Sequence, residues 1–559
     1  MTAELDTRAP ADPDPVGVPG PAVRWPVFIT SFVGVCVITL WALVAPANAE
    51  KVIGEVVAKV GTGFGWFYVA LATAIVVFVV FLGVSRFGSI RLGPDHSRPE
   101  FSTFAWASML FAAGIGTDVM FYSVIEPVSH YTAPPVGEPG TVDAAREATV
   151  WTLFHYGVTG WAMYALMGMA FGYFAYRWNM PLSIRSALYP LIGKRVQGRT
   201  GDVVDIAALL GTIFGVATSL GIGVVQLNYG LYLLFGIEEG TAAQIGLIVV
   251  AVVMATASCV SGVDKGIRRL SELNVLMAVA LIVWVLVAGR TSFLLDATVQ
   301  NLGDYVSSLP GMTMETFAYT GAAEWMAGWT LFFWAWWIAW ASFVGLFLAR
   351  ISRGRTIRQF VGGVILVPST VSLIWFAIFG GSAMKMQEEG QLGKEATPEG
   401  QLFGVLQQFP VATATSLLVM VLVGIFFVSG ADAASIVMGT LSQKGALEPG
   451  RFVVVFWGVV TGAVAAIMLL VGSGQGDALT GLQNLTILAA APFVIVMIFM
   501  CIALMRDLRR DPVVVREQMG SEAVEMAVME GHKKYDGEFE FRVGPGRGPD
   551  VEGDPIGKH

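Results

Sequence analysis

An aspartate lies inside a segment with the composition of a membrane-spanning helix. The run Ala112-Ala113-Gly114-Ile115-Gly116-Thr117 leads directly into Asp118, within the apolar stretch 104–124. A charged side chain at the centre of a bilayer costs about 2.5–3.5 kcal/mol, and no Lys or Arg within the predicted spans can pair with it. We therefore interpret Asp118 as a countercharge for a cationic substrate, a proton carrier, or both. A protonated acid that is hydrogen-bonded to backbone is the structural alternative.

The glycines before Asp118 weaken the helix in the middle of this segment. Glycine lowers helix stability and lets another backbone or a ligand come close. Irregular backbone at membrane depth is tolerated only where it lines a cavity or is buried in protein. We predict a broken helix whose backbone at Ala112, Gly114, Ile115 and Gly116 lines a binding site. Tight helix packing by small residues is the alternative, but it does not account for the acid.

Aromatic side chains are concentrated in two segments. Six of the 16 tryptophans lie between 325 and 340, in a run that includes Trp336, Trp337 and Trp340. In the segment 151–175, the side chains Tyr156, Trp161 and Tyr164 share one broad arc if a helix turns by about 100° per residue. Converging Trp and Tyr faces bind quaternary ammonium groups by cation–π attraction. Simple core packing is the alternative interpretation.

Three further polar residues have two interpretations each. Asp432 is a second acid within an apolar segment, and we weigh a local helix cap equally with a functional role. His155 is expected to be a hydrogen-bonded core histidine rather than a proton relay. Glu126 is expected to be a cap or loop anchor rather than a charge in a vestibule.

The composition requires that these residues be positioned by membrane helices. The chain has 559 residues, with 55% hydrophobic and 14% charged residues and a mean hydropathy of +0.67, whereas a soluble domain carries about 25% charged residues. This excludes an ordinary soluble enzyme, a disordered chain and a nucleic-acid binder. Spans of about 20 apolar residues are predicted at 25–46, 64–85, 104–124, 151–175, 204–228, 242–261, 271–289, 328–350, 360–384, 411–437, 452–473 and 484–506.

The distribution of basic residues predicts the orientation of these spans. If the N-terminus is inside, the internal loops hold 17 Lys and Arg residues and the external loops hold 6. The positive-inside rule then places both termini in the cytoplasm. The predicted organisation is a cytoplasmic tail over 1–24, a transmembrane domain over 25–506 and a second cytoplasmic tail over 507–559. The segment 290–327 includes an amphipathic helix at the external interface.

Residue patterns for other chemistries are missing from the sequence. The three cysteines have neither metal-ligand spacing nor a disulfide framework. The sequence contains no HExxH metal helix and no nucleophile elbow, so we predict a protein that is not an enzyme and has no cofactor or metal. The arginines that follow the span 328–350 anchor the topology, with binding of anionic lipid as the alternative.

At these residues the sequence resembles the betaine/choline/carnitine transporter (BCCT) family. The strongest stretch is Trp329 to Phe360, which contains Trp334-Ala335-Trp336-Trp337, and Phe111-Ala112-Ala113-Gly114 with Glu126-Pro127 supports it. The resemblance covers residues 25–506. It implies twelve transmembrane helices, with a LeuT-like core of two inverted five-helix repeats (about 104–289 and 328–506) preceded by two helices. It also implies alternating access, quaternary ammonium substrates and a homotrimer.

The same resemblance implies a role for each aromatic residue. Tyr156, Trp161, Tyr164 and Trp337 would form the central box, and Trp336 and Trp340 would line the same region or the exit path. An acid at position 118 is similar to the proton-coupled choline carriers of the BetT type, because sodium-coupled betaine members carry glycine there. Ser429-Gly430 before Ala431-Asp432 lacks one hydroxyl of the sodium-coupled pattern, which also argues against sodium.

From these observations we expect a proton-coupled choline importer of the bacterial inner membrane that serves osmoprotection. Other quaternary ammonium solutes, protons and membrane lipids, including anionic ones, are its further expected partners. The alternative within the family is a sodium-coupled glycine betaine symporter. A channel and an osmosensor that signals through its acidic tail are the alternatives from other classes.

Overall fold

The computed structural model describes residues 22–114, 116–261, 264–392, 397–446, 448–473 and 478–540. Helices are the regular elements of these ranges, in which the isolated bridge between Arg91 and Thr356 is the one extended pairing. The predicted all-α fold is therefore confirmed.

Twenty α-helices make up the described part of the chain. Those of the first half are α1 Trp25–Val44, α2 Pro46–Val84, α3 Thr103–Ala113, α4 Thr117–Thr132, α5 Val142–Tyr156, α6 Val158–Gly172, α7 Ile184–Ala187, α8 Tyr189–Ile192, α9 Arg199–Phe235, α10 Thr241–Ser261 and α11 Asp264–Ala288. Those of the second half are α12 Thr291–Met312, α13 Ala323–Met326, α14 Phe332–Ile351, α15 Ile357–Glu388, α16 Gln401–Gln407, α17 Ala412–Ser442, α18 Arg451–Ser473, α19 Ala478–Leu508 and α20 Pro512–Tyr535. A π-helical segment, Ala327–Leu331, joins α13 to α14.

The lengths and composition of these helices are those of a polytopic membrane protein. Eight described helices are long and apolar enough to cross a membrane, and two bent helix pairs could each provide a further span. One pair is α3 with α4, bent by 59°, and the other is Glu272–Ala288 with α12, bent by 115°. The two remaining predicted spans, 151–175 and 242–261, fall on α5 with α6 and on α10. Each predicted span thus contains helix.

The helix that carries the second predicted span begins well before that span. The second span is predicted to start at residue 64, whereas α2 begins at Pro46 and is 39 residues long. Its first part contains Glu50, Lys51, Glu55 and Lys59 among apolar residues. A hydropathy window rejects such a charged segment, although its residues form helix readily. The segment is therefore a helical extension of the span rather than a loop.

The packing of the helices repeats in two sets, α3 to α11 and α13 to α19. The first broken helix, α3 with α4, packs on α15, and α14 packs correspondingly on α6. In the same way α10 packs on α17, and α18 packs on α9. These are the matched contacts that two repeats of one topology produce. If each repeat has five spans, an odd number, the second repeat begins at the opposite membrane face and is inverted.

Small residues allow α6 and α14 to approach each other closely. A Cβ atom at Gly345 would lie 2.5 Å from the Cβ of Met167, and one at Gly168 would lie 3.0 Å from the Cβ of Leu348. Helices in lipid gain little from hydrophobic exclusion, so small side chains that permit close backbone contact favour their association. This contact sets the distance between the two aromatic segments of the sequence.

The described chain divides into two compact units, with the boundary after Met505. In the second unit, α20 begins behind Asp511, whose side chain accepts a hydrogen bond from the backbone N–H of Val513 at 3.0 Å. Pro512 occupies the first helical position, where its missing N–H costs no hydrogen bond. The described part of this unit thus consists mainly of a capped helix with a polar composition.

Trp106 attaches α3 to α15. Its indole N–H donates to Ser352 Oγ at 2.9 Å, and the Arg355 guanidinium carbon lies 4.1 Å from the centroid of its ring. A Cβ atom at Gly363 would lie 2.1 Å from this ring, whereas one at Gly362 would have no heavy atom within 4 Å. The first half of the broken helix is thus seated in a groove that only glycine leaves open.

Gly363→Ala is expected to destabilise the protein, because the added methyl group forces the Trp106 ring away from α15. Overpacking of this kind costs about 1–3 kcal/mol. The control Gly362→Ala should keep or raise stability, since Ala favours a helix over Gly by about 0.5–1 kcal/mol. Thermal unfolding of the purified protein in detergent measures the difference. Equal unfolding temperatures for the two variants would contradict the contact.

Candidate functional site

A cavity of about 1110 Å³ lies among the helices of both repeats. Its wall includes the ends of α3 and α4 at the helix break, together with parts of α6, α9, α14 and α17. The predicted site residues that line it are Ala112, Gly114, Gly116, Asp118, Tyr156, Trp161, Tyr164, Trp336, Trp337 and Trp340. Ile115, the remaining predicted residue, lies outside the described residues. The fold therefore brings two separate segments and the glycine run to one cavity.

The break between α3 and α4 exposes backbone to this cavity. Helix α3 ends at Ala113 and α4 begins at Thr117. The first N–H groups of a helix lack partners inside it, and the helix dipole makes this end favourable for negative charge. Asp118 is the second residue of α4 and lies at this position.

Among the described residues, one hydrogen-bond donor reaches the carboxylate of Asp118. Ser219 on α9 donates its hydroxyl proton to Oδ2 at 2.9 Å. The other oxygen, Oδ1, is buried and has no hydrogen-bond partner among the described residues. A buried acceptor without a partner is costly, so this oxygen is suited to receive a proton or a ligand cation.

Four aromatic side chains form the aromatic box, which consists of Tyr156, Trp161, Tyr164 and Trp337. The ring centroid of Trp337 lies 4.5 Å from that of Tyr164, 5.6 Å from that of Trp161 and 6.5 Å from that of Tyr156. Trp161 and Tyr164 are perpendicular to each other. The ring faces therefore point in different directions around one space, which is the geometry that a compact cation requires.

Two backbone features hold Trp337 in the box. Its indole N–H donates to the backbone carbonyl of His155 at 2.8 Å. On its other side, a Cβ atom at Gly160 would lie 2.2 Å from the ring. The ring therefore lies directly on the backbone of α6.

The prediction of one continuous helix over 151–175 is wrong. Helix α5 ends at Tyr156 and α6 begins at Val158, with Gly157 in a non-helical conformation between them. The hydroxyl of Tyr305 accepts a hydrogen bond from the freed N–H of Val158 at 3.0 Å. Because of this break, a constant rotation of about 100° per residue does not relate Tyr156 to Trp161. Tertiary packing brings Tyr156 to the box instead.

Trp336 and Trp340 line the cavity beside the box and contact other groups. The Trp336 ring is stacked with Phe332, with a centroid distance of 5.1 Å. Trp340 lies against Phe343 at 5.1 Å, and a Cβ atom at Gly215 on α9 would lie 3.2 Å from its ring. Both tryptophans thus border the path between α14 and α9.

The two ends of the cavity differ. At one end its wall includes Arg350, Glu448 and Arg451, which belong to loops and helix ends that the positive-inside rule assigns to the cytoplasm. Beyond the box in the other direction, the rings of Tyr122 and Phe333 pack at 5.3 Å. The cavity therefore extends from the aromatic box to the predicted cytoplasmic side.

The expectation that Glu126 anchors a loop is wrong. Glu126 lies within α4 and is fully buried. Its Oε1 atom is 2.5 Å from Nδ1 of His155 and 3.2 Å from Nε2 of His130. The other ring nitrogen of His155 is 3.0 Å from Thr330 Oγ1. We call Glu126, His130 and His155 the acid–histidine cluster. The four-residue spacing of Glu126 and His130 was the sequence signal for it.

The acid–histidine cluster consists of residue types that can bind a metal ion, and its possible ligand atoms lie within 4.8 Å of one another. Zinc bonds to such atoms are about 2.0–2.1 Å long. Glu126 Oε1 and His155 Nδ1, which are 2.5 Å apart, would then subtend an angle of about 75° at a zinc ion, well below the tetrahedral angle. The distance between Glu126 Oε1 and His155 Nδ1 is instead that of a short hydrogen bond.

The region around Asp432 does not support the proposed helix cap. Helix α17 runs without interruption from Ala412 to Ser442, so Asp432 lies in its interior and its side chain lines the cavity. Ser429 donates its hydroxyl proton to the carbonyl of Ile425 at 2.8 Å within the same helix, and Gly430 offers no hydroxyl. Side-chain oxygens for a sodium ion are thus sparse in this part of α17.

Known proteins are similar to the chain over most of its length. The profile of the betaine/carnitine/choline family of transporters matches residues 26–513. The high-affinity choline transport protein of Escherichia coli is 52% identical over 82% of this chain and 68% of its own length. The osmo-dependent choline transporter of Acinetobacter baylyi is 47% identical over 86% of this chain and 71% of its own length. A glycine betaine transporter of the same species is 41% identical over 87% of this chain and 73% of its own length.

Gly160→Ala is expected to weaken binding of tetramethylammonium by about tenfold or more, because the methyl group displaces Trp337 and a desolvated cation–π contact is worth about 2 kcal/mol. The control is Gly424→Ala on α17, where a Cβ atom would have no heavy atom within 4 Å. Isothermal titration of the purified protein measures both affinities. Unchanged affinity in Gly160→Ala would show that Trp337 is not part of the cation site.

Proposed function

The chain belongs to the betaine/carnitine/choline family of transporters, and on this premise we propose that it imports choline by proton symport. The observation that carries the proposal is the cavity in which an aromatic box and the carboxylate of Asp118 line the same space. Similarity to two choline transporters at 52% and 47% identity supports the choice of substrate.

The aromatic box accounts for binding of the trimethylammonium group. This group has no N–H and cannot donate a conventional hydrogen bond, so a protein recognises it through ring faces and charge. The rings of Tyr156, Trp161, Tyr164 and Trp337 are each at least nine-tenths buried. In such a water-poor site the attraction between a cation and a ring is stronger than at an exposed surface.

Asp118 distinguishes choline from a zwitterion. Choline is a fixed cation without a carboxylate, so a negative charge in the wall attracts it. Glycine betaine carries its own carboxylate, which the charge of Asp118 would repel. The acid therefore favours choline over betaine.

Asp118 is also the proposed proton-coupling residue. Its Oδ1 atom has no hydrogen-bond partner among the described residues, and it lies in the wall of a cavity from which a proton can leave. Protonation would cancel the countercharge, and proton release would restore it, so proton and substrate binding are linked at one group. The sparse side-chain oxygens near Gly430 support protons over sodium as the coupling ion.

Alternating access would move this site between the two faces. The cavity extends to the predicted cytoplasmic side, as expected of an inward-facing state. The outward-facing state would close that path and separate the packed rings of Tyr122 and Phe333.

We further propose a bacterial inner-membrane location with both termini inside, a homotrimeric assembly, contacts with lipids that include anionic ones, and a role in osmoprotection. The name of the osmo-dependent relative supports the last of these.

Trp337→Ala should reduce choline uptake at low substrate concentration by about tenfold or more, since it removes the ring that contacts all other members of the box. Uptake of labelled choline into proteoliposomes over a range of concentrations would show a raised half-saturation constant. The control Trp178→Ala removes a half-exposed ring that does not line the cavity. An unchanged half-saturation constant in Trp337→Ala would exclude this residue from the substrate site.

Asp118→Asn should abolish accumulation of choline driven by an inward proton gradient, because the amide carries neither the negative charge nor the exchangeable proton. Asp296→Asn is the matched control, since Asp296 is exposed on α12 and does not line the cavity. Uptake of labelled choline and of labelled glycine betaine is measured with proton and sodium gradients imposed separately. Accumulation of betaine driven by sodium in the wild type would identify the sodium-coupled alternative and refute the proposal.

A further inference from the structure

Helix α4 carries four titratable side chains at four-residue spacing: Asp118, Tyr122, Glu126 and His130. Residues four apart lie on one face of a helix, one turn above another, separated by about 6 Å along the axis. The side chains of Tyr122, Glu126 and His130 are almost fully buried, and Asp118 lines the cavity. The stripe therefore leads from the substrate cavity through the protein interior towards the end of α4.

Charge balance requires a proton within the acid–histidine cluster. It contains one acid and two histidines, and the side chains that surround it are largely aromatic, such as Trp325 and Trp329. An ionised carboxylate without a cation is costly in such surroundings. One additional proton, shared between Glu126 and His155 across 2.5 Å, makes the cluster neutral. The same three groups can pass that proton among themselves.

Two polar atoms of the cluster leave room for proton exchange. Oε2 of Glu126 and Nδ1 of His130 are buried without a hydrogen-bond partner among the described residues. Each can accept a proton while the partner atom of the same group keeps its hydrogen bond. A purely structural cluster would be expected to satisfy these atoms.

An outer pocket of about 490 Å³ approaches the cluster from the other side. Its wall contains the acids Asp143, Glu147, Asp304 and Glu315, together with Trp151. The ring centroid of Trp151 is 6.3 Å from that of His155. One aromatic layer therefore separates an acidic pocket from the acid–histidine cluster.

We propose that this stripe is the proton entry path of the transporter, with the acid–histidine cluster as its outer proton site and Asp118 as its inner one. The proposal rests on the proposed proton-coupled function. A proton from the outer pocket binds to the cluster. The Tyr122 hydroxyl, which accepts a hydrogen bond from Gln483 Nε2 at 3.2 Å, belongs to the residue between the two sites along α4. It would receive a proton on its oxygen and give its own proton to Asp118, so that the tyrosine ends neutral. Asp118 becomes protonated and later releases the proton into the cavity.

The other titratable groups that face this path are compatible with it. Tyr156 and Tyr164 face the inner part from α5 and α6, and Asp432 on α17 lines the same cavity. In the outer pocket, Arg146 is paired with Asp304 at 2.6 Å. On α15, which packs on α4 and α5, Lys385 is paired with Glu388 at 2.7 Å. Both of these basic groups are thus engaged by acids.

The test compares two assays of the full-length protein in proteoliposomes. Counterflow exchanges external labelled choline for unlabelled choline loaded inside the vesicles, without a proton gradient, and needs no net proton movement, whereas proton-driven uptake requires a proton on every cycle. Tyr122→Phe keeps the ring and removes the hydroxyl, and Glu126→Gln keeps the shape and removes the titratable group. Tyr131→Phe is the matched control on the same helix, since its hydroxyl is directed to the carbonyl of Gly140 at 3.2 Å.

We expect Tyr122→Phe and Glu126→Gln to slow proton-driven uptake by about tenfold or more, in line with the loss of a proton-transfer group, while counterflow stays near the wild-type rate. Tyr131→Phe should leave both rates unchanged. Wild-type rates of driven uptake in both variants would overturn the path, and so would equal losses of uptake and counterflow, which indicate a structural role. A wild type that shows counterflow without any proton-driven uptake would refute the proposed function instead.

Discussion

The close contact between α6 and α14 at Gly160 is the constraint on which the proposed substrate site depends. The Trp337 ring lies against the backbone of α6 and is anchored by the carbonyl of His155. If α6 and α14 shifted relative to each other by the width of a methyl group, the Trp337 ring would have to move as well. The position of the cation site is therefore determined by backbone contact, which is more rigid than contact between flexible side chains.

The second constraint is the burial of two acids, Asp118 and Glu126, without a Lys or Arg partner among the described residues. Asp118 is accommodated by the start of α4 and by Ser219, while Glu126 is accommodated by two histidines. Each solution leaves one carboxylate oxygen without a partner among the described residues. Such atoms are costly in a core, and they are retained where a cation or a proton must bind and leave.

The sequence predicted several of these features because each depends on local composition. The glycine run and Asp118 stood out against apolar neighbours, and the tryptophans of α14 stood out by their density. The Gly157 break and the pairing of His130 with Glu126 were not predicted. The first depends on a hydroxyl from Tyr305, which is remote in sequence. The second required knowing that α4 continues as a buried helix beyond Pro127.

The sequence by itself determined that the chain is a helical membrane protein and which residue types face its chemistry, because hydropathy and charge act within each segment. Only the tertiary structure decided which of those residues meet. Trp337 and Tyr164 are separated by more than 170 residues, yet their ring centroids are 4.5 Å apart. Glu126 and His155 come together only where α4 packs on α5. Such contacts arise from the packing of whole helices, and no local pattern encodes the distance between them.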